Sequence, residues 1–372
     1  MEAARAIELG LTASRFTGTV DCFPIGDGGD GTGELIVQHC RGEVVMVPVR
    51  DPVGSVINAG FGLIDAGRTA VIEMASASGL RLLAAGELAP LRASSFGTGE
   101  MIRHALDRGV GKIILGIGGS ATVDGGCGIL QALGVRFLDG SGAVLDGLPE
   151  RLTELAAIDV LGLDKRWSSC EIVILCDVDN KLLGPDGAAA VFGPQKGASP
   201  SDVVKLDACL KRLADVMLKQ LGKDMAGVER GGAAGGIAAG LYAFLGARLV
   251  NGIDDFLTIT GFDKVLGECD LLITGEGSLD EQTLNGKGPM GVAMRAKGRG
   301  IPVIGLAGKV PLETSSLLDR YFDVVLAIGN EPAELAVAMK ATAGNLERTG
   351  RAVGNLLCLP QSFDGWDKAD KK

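Results

Sequence analysis

The chain is poor in metal-binding side chains: it has two histidines in 372 residues, and no two of its eight cysteines form a CxxC pair. Structural zinc sites draw four ligands from such pairs, so the composition argues against one. Cysteines scattered singly, from Cys22 to Cys358, read instead as reduced, mostly buried thiols, and the expected compartment is the cytoplasm. No GxxxxGK[ST] stretch occurs, which removes a P-loop nucleotide site. Signal-peptide features are missing, and the apolar runs have strand length rather than the length of a bilayer span, so no membrane partner is expected. A basic stripe is missing as well. With a net charge of −10 the chain lacks the electrostatic footprint of a nucleic-acid binder. An anionic small substrate would then have to be held by local lysines, arginines, helix N-termini or Mg²⁺ against the overall field.

Aromatic residues make up only 4% of the chain against 47% apolar residues, so the core must be built from Ala, Val, Leu and Ile. Glycine is abundant instead, at 58 residues, or about twice average usage. The glycines fall at the ends of apolar runs, where tight turns or a close backbone approach need a residue without Cβ. The length exceeds what one hydrophobic core usually serves, which predicts two α/β domains.

Periodicity predicts a helix over Glu2–Leu11, a strand over Thr19–Ile25, a helix over Thr32–Cys40 and a strand over Glu43–Val49. Asp65-Ala66-Gly67 splits two apolar runs between Asn58 and Ala75 in the manner of a hairpin. Gly97–Asp107, Lys112–Ile117 and Gly125–Leu133 read as helix, strand and helix, followed by a strand at Glu171–Leu175. Ser201–Leu221 is amphipathic, with Val203, Leu206, Leu210, Leu213 and Met217 on one stripe, and a Gly/Ala-rich helix is expected near Gly235–Leu245. The last third alternates strand and helix: Leu271–Thr274, Pro289–Lys297, Val303–Leu306, Glu313–Tyr321, Val324–Ile328 and Glu331–Arg348. Such alternation signals a parallel sheet, whose ligands gather at the carboxyl ends of its strands.

The chemistry-bearing clusters lie in those strand-end loops. Gly118, Gly119, Ser120 and Thr122 bring backbone N–H groups and hydroxyls together ahead of a helix, which suits an anion. Ser95, Gly97 and Thr98 open another helix; capping explains them, and a capped terminus can also meet a carboxylate or phosphate. Asp177 and Asp179 follow a strand so closely that they would repel each other without a cation or a donor, leaving metal ligation or general-base work as options. Glu276, Asp280 and Lys287 place acids and a lysine where a metal–phosphate complex needs ligands and charge neutralisation. Asp27 and Asp30 lie in a similar glycine-rich turn without a cation. His39 and His104 sit on helical stretches and read as packing or surface residues.

Taken in order, several stretches resemble the glycerate kinase family: Pro24–Thr32, Ile72–Leu80, Ser95–Glu100, Gly116–Gly126, Cys176–Asn180, Phe192–Gly197, Gly232–Gly236 and Gly275–Val292. The resemblance spans nearly the whole chain. It implies an enzyme that uses ATP and Mg²⁺ to phosphorylate D-glycerate, with 2-phosphoglycerate as the favoured product, and a homodimer is compatible with it. It also implies two α/β domains with a cleft between them: a Rossmann-like parallel-sheet domain from residues 1–45 and 254–358, and a mixed α/β domain inserted at residues 46–253. Residues 359–372 are expected to be a frayed tail. In this setting Asp177 is the expected base, with Asp280 and Lys287 beside it in catalysis. Glu276 and Asp179 are the expected metal ligands. Ser95, Gly97, Thr98, Gly118, Gly119, Ser120, Thr122, Asp27 and Asp30 are expected to bind substrate or phosphate. Family members usually begin with a β-strand and an Asp-Ser-Phe-Lys-Gly-type loop that this chain lacks. A second reading is therefore an N-terminally shortened, inactive member that binds a sugar acid or nucleotide.

Overall fold

The computed structural model describes residues 2–279, 288–312 and 316–359. They fall into two compact units, divided after Pro24 and after Gly261. Eleven strands are named in chain order: β1 (Glu43–Arg50), β2 (Val56–Ile64), β3 (Thr69–Glu73), β4 (Lys112–Gly116), β5 (Arg136–Leu138), β6 (Ala157–Asp159), β7 (Glu171–Leu175), β8 (Arg248–Val250), β9 (Leu272–Ser278), β10 (Val303–Lys309) and β11 (Val324–Ala327).

The unit from Ile25 to Gly261 is built on a six-stranded sheet in the order β1-β2-β3-β4-β7-β8. β1, β2 and β3 pair antiparallel, and β3, β4, β7 and β8 pair parallel. The expected hairpin is the β2–β3 connection: Asp65, Ala66 and Gly67 all take left-handed φ, and Thr69 Oγ1 donates to Asp65 Oδ2 at 2.7 Å. β4 and β7 read as continuous apolar runs because helices cover both faces, leaving Ile113, Ile114, Leu115, Val173, Ile174 and Leu175 buried.

The long helix Pro200–Leu221 shows why local sequence suffices there. Ser199 caps it and exchanges hydrogen bonds with Asp202, Pro200 occupies the first turn, and Gly222 ends it in the left-handed region. Its stripe Leu206, Leu210, Leu213 and Met217 is buried, and each such side chain contributes about 1.5–3 kcal/mol of burial.

The other unit carries the parallel sheet β11-β10-β9, as the alternating pattern predicts. Helices Glu2–Thr12 and Thr342–Leu357 pack closely: a Cβ on Gly10 would collide with Glu347 O, and one on Gly350 would lie 2.7 Å from Ile7 O. Ala6, Leu11, Leu306, Leu346 and Val353 form the core there.

Three expectations need correction. Thr19–Ile25 is not a strand; the chain passes between the units at Pro24 and Ile25, so no neighbouring strand accepts it. The last predicted helix is two helices, Leu335–Lys340 and Thr342–Leu357, and only the second turns an apolar face to a partner. The Gly/Ala-rich segment Ala233–Leu245 is interrupted at once, because Ala234, Gly235 and Gly236 are all left-handed. The unit boundaries also differ from the expected domain limits. Residues 25–45 group with the six-stranded sheet because Gly33 N, at the start of helix Thr32–His39, donates to Glu73 Oε1 of β3 at 2.9 Å. Residues 254–261 follow because helix Gly252–Ile259 is joined to β7's carboxyl end through Gly252. The expected tail, beyond Leu359, lies outside the described residues.

Candidate active site

The carboxyl ends of β4 and β7 open into a cavity of about 250 Å³ in the Ile25–Gly261 unit. Three glycine-rich segments line it: Asp27-Gly28-Gly29, Gly118-Gly119-Ser120 after β4, and Ala233-Ala234. Asp177 and Val178, after β7, complete it together with Phe192, Gln195 and Lys196. These segments approach closely because they lack side chains. A Cβ on Gly118 would lie 2.8 Å from Gly29 Cα, and one on Gly235 would strike the Thr122 carbonyl.

The loop after β4 presents donors to the cavity. Gly119 is left-handed (φ 65°), and the N–H groups of Gly118, Gly119 and Ser120 donate to no other described residue. Lys196 is 2% exposed; its Nζ donates at 2.7 Å to Ser120 Oγ and at 2.7 Å to the Thr122 carbonyl. Burial pushes the Lys196 ammonium down to about 7, partly opposed by the charge of Asp124. Thr122 Oγ1 is buried without a hydrogen-bond partner among the described residues.

Asp177 lines the same cavity, and its Oδ1 accepts from Gly252 N at 2.7 Å. Its surface is partly open to water, yet the protein atoms crowding the cavity and the nearby Asp27 carboxylate raise it to about 7. The Gly252 bond and Arg230 oppose that shift. Asp27 Oδ1 accepts from Gly29 N at 3.1 Å, and Asp30 pairs with the exposed Arg81 at 3.0 Å.

The structure thus gathers Asp27, Gly118, Gly119, Ser120 and Asp177 around one cavity. Ser95, Gly97 and Thr98 are placed differently. Ser95 N and Oγ both donate to the buried Asp124 Oδ2, at 2.9 and 2.7 Å, and Ser95 Oγ accepts from Ile129 N at 3.1 Å. Asp124 also accepts from Gly126 N and Gly128 N. Thr98 Oγ1 shares a 2.7 Å hydrogen bond with Ser78 Oγ, and a Cβ on Gly97 would collide with Arg50 O. These residues lock the helix Phe96–Asp107 to its neighbours.

Asp179 is 82% exposed and pairs with Arg230 at 3.2 Å, while Glu276 is on β9 in the other unit. Among the described residues no three His, Cys, Asp or Glu side chains gather as a metal cluster. Glu276 Oε1 is nevertheless buried with no hydrogen-bond partner there. That oxygen suits a hard cation, and Mg²⁺ characteristically takes only one or two carboxylates alongside phosphate oxygens. Asp280 and Lys287 lie outside the described residues. Lys196 carried no assignment in the sequence although it stands inside the Phe192–Gly197 stretch. The usable signal was a lone lysine between Gly193-Pro194 and Gly197.

The chain is similar to known proteins over nearly its whole length. The family model described as glycerate kinase family matches residues 1–358. A glycerate kinase of Bacillus subtilis (strain 168) is 43% identical over 363 residues, covering 98% of this chain and 95% of that protein. The glycerate 2-kinase of Escherichia coli (strain K12) is 41% identical over 358 residues, with 96% and 94% covered. The crystal structure of a candidate glycerate kinase 2 from Salmonella typhimurium LT2 superposes with a TM-score of 0.82 at 45% identity, over 96% of this chain and 93% of that one.

Proposed function

The chain belongs to the glycerate kinase family, and we propose that it phosphorylates D-glycerate with ATP, giving 2-phosphoglycerate. The observation that carries this reading is the cavity's lining, which joins unpaired donors of the loop after β4 to an acid, Asp177, after β7. A hydroxy acid offers the matching ends, a carboxylate and hydroxyls.

Phosphoryl transfer asks little covalent chemistry of a protein; it needs reactants held in line and developing charge stabilised. Asp177 is the base. Its carboxyl, raised to about 7, is ionised in useful amount at neutral pH yet basic enough to take a hydroxyl proton as the O–P bond forms. Its bond from Gly252 N fixes the carboxylate's direction. The Gly118–Thr122 loop orients the anionic part of the substrate through its N–H groups. Glu276, with Asp280, is the residue set that would hold Mg²⁺, which when bound neutralises charge on the donor phosphates; Asp179 is left to Arg230. Lys287 is assigned to the same phosphates.

A coupled ADP-release assay tests the reading, with enolase added to consume 2-phosphoglycerate. ADP release that requires D-glycerate, followed by enolase turnover, is expected. No glycerate-dependent ADP release would end the proposal, and product inert to enolase would move the reaction to another hydroxyl.

A further inference from the structure

We propose that Lys196 is the receptor for the carboxylate of the acid substrate, and hence the residue that selects a hydroxy acid over an uncharged polyol. This rests on the proposed glycerate kinase activity and concerns one residue of that site.

The argument starts from valence. An ammonium has three donors, and Lys196 spends two, on Ser120 Oγ and the Thr122 carbonyl. Among the described residues the third has no acceptor, and no carboxylate forms an ion pair with Lys196. Ser120 Oγ accepts from Lys196, so its own proton remains free to donate into the cavity. The neighbouring Gly118, Gly119 and Ser120 N–H groups are also unclaimed. Thus part of the cavity lining consists of convergent donors around a buried cation. A buried lysine without a counter-ion is costly, and its lowered pKa is that cost expressed as proton loss. An anionic occupant removes the cost.

Size and the rest of the lining decide which anion. Pockets that enclose drug-sized ligands run to about 300–1,000 Å³, so a cavity of about 250 Å³ suits a three-carbon acid better than a whole nucleotide. The same cavity is also lined by the Asp27 and Asp177 carboxylates, which repel a second anionic group and accept from hydroxyls. A small hydroxy acid then has one orientation, with its carboxylate on Lys196 and its hydroxyl towards Asp177. The charged group acting on Lys196 is Asp124; Asp27 and Asp177 line the same cavity, and Asp30 pairs with Arg81.

Steady-state kinetics of wild type and Lys196→Met with D-glycerate and with its neutral amide, glyceramide, provide the test. Loss of the receptor should raise KM for D-glycerate about 100-fold while kcat changes only a few-fold. The rise in KM for D-glycerate should exceed that for glyceramide at least about tenfold, with KM for ATP changed only a few-fold. Equal losses for both acceptors would mean that Lys196 only supports the fold, and a raised KM for ATP alone would assign the cation to the nucleotide's phosphates; either overturns the proposal. A second measurement needs neither turnover nor an intact Lys196→Met variant. Calorimetry of D-glycerate binding to Asp177→Asn, at pH 8 in buffers of different ionisation enthalpy, should show net proton uptake as Lys196 charges. Binding without uptake, or no binding, sinks the assignment. Uptake by Asp177→Asn together with a wild type that never phosphorylates D-glycerate would refute the kinase reading and leave Lys196 as the receptor.

Discussion

Ser95→Ala separates a structural hydroxyl from a ligand-binding one. In the structure this hydroxyl donates to the buried Asp124 carboxylate and accepts from Ile129 N. A hydrogen bond to a charged group contributes about 1.5–3 kcal/mol, and a buried N–H left without an acceptor costs about 1–3 kcal/mol. Water entering the small gap left by Oγ could recover part of this, so a loss of about 3 kcal/mol is expected. The assay is urea unfolding followed by the fluorescence of Trp167, which packs against the core of the same unit. The midpoint should fall with the slope unchanged, while KM for D-glycerate and ATP stays within about threefold. Ser120→Ala is the contrasting variant: its hydroxyl lines the cavity and also accepts from the buried Lys196, so the change should weaken D-glycerate binding as well as cost about 1–3 kcal/mol of stability. An unmoved midpoint in Ser95→Ala together with a tenfold rise in either KM would refute the reasoning, because Ser95 would then be touching substrate.

Asp177→Asn should lower kcat about 10³-fold with the fold intact, and near-normal turnover would remove Asp177 from the base's role. Because the base must be ionised and its carboxyl is raised to about 7, wild-type kcat should decline as pH falls below about 7; a flat profile from pH 5 to 8 would contradict this. Lys196 has a folded pKa below its unfolded value of 10.5, so its contribution to stability is complete above that pH and is lost as pH falls towards and through about 7. Between pH 7 and 9.5 wild type should therefore gain a few kcal/mol relative to Lys196→Met in urea unfolding, and parallel curves would show that the amine is not buried neutral. Gly235→Ala, at φ 69° and with its new Cβ against the Thr122 carbonyl, should cost about 3 kcal/mol or more, measured as a lowered Tm. An unchanged Tm would mean that the two loops are not in contact.

Much of the fold was legible because local signals and tertiary packing agree. In Pro200–Leu221 the capping residues, proline, apolar stripe and terminal glycine all point to one helix. The β2–β3 turn and the parallel β9–β11 sheet were legible for the same reason. Thr19–Ile25 was misread because apolar, β-prone residues need a pairing partner that no local pattern can show. The three-residue strands β5, β6 and β8 are too short for periodicity to register.

The candidate site was legible to a different extent, and for a reason visible in three hydroxyls. Ser95, Thr98 and Ser120 all stand in Gly/Ser/Thr loops, and local sequence gives all three the same meaning. What separates them is which distant residue reaches them: Asp124 for Ser95, Ser78 for Thr98 and Lys196, 76 positions away, for Ser120. Lys196 was unreadable by the same logic, since its Gly-Pro-Gln-Lys-Gly setting describes a turn and its burial follows from contacts made elsewhere in the chain. The glycine excess, read in the sequence as tight turns or close backbone approach, serves here the approach of one loop to another. Gly118 lets the loop after β4 lie against Gly29, and Gly235 lets the left-handed run before Ile237 lie against Thr122. The first contact brings the donor loop against the acidic turn and the second brings it against the Ala234–Gly236 run, and only then does the lysine bonded to Ser120 become part of a site.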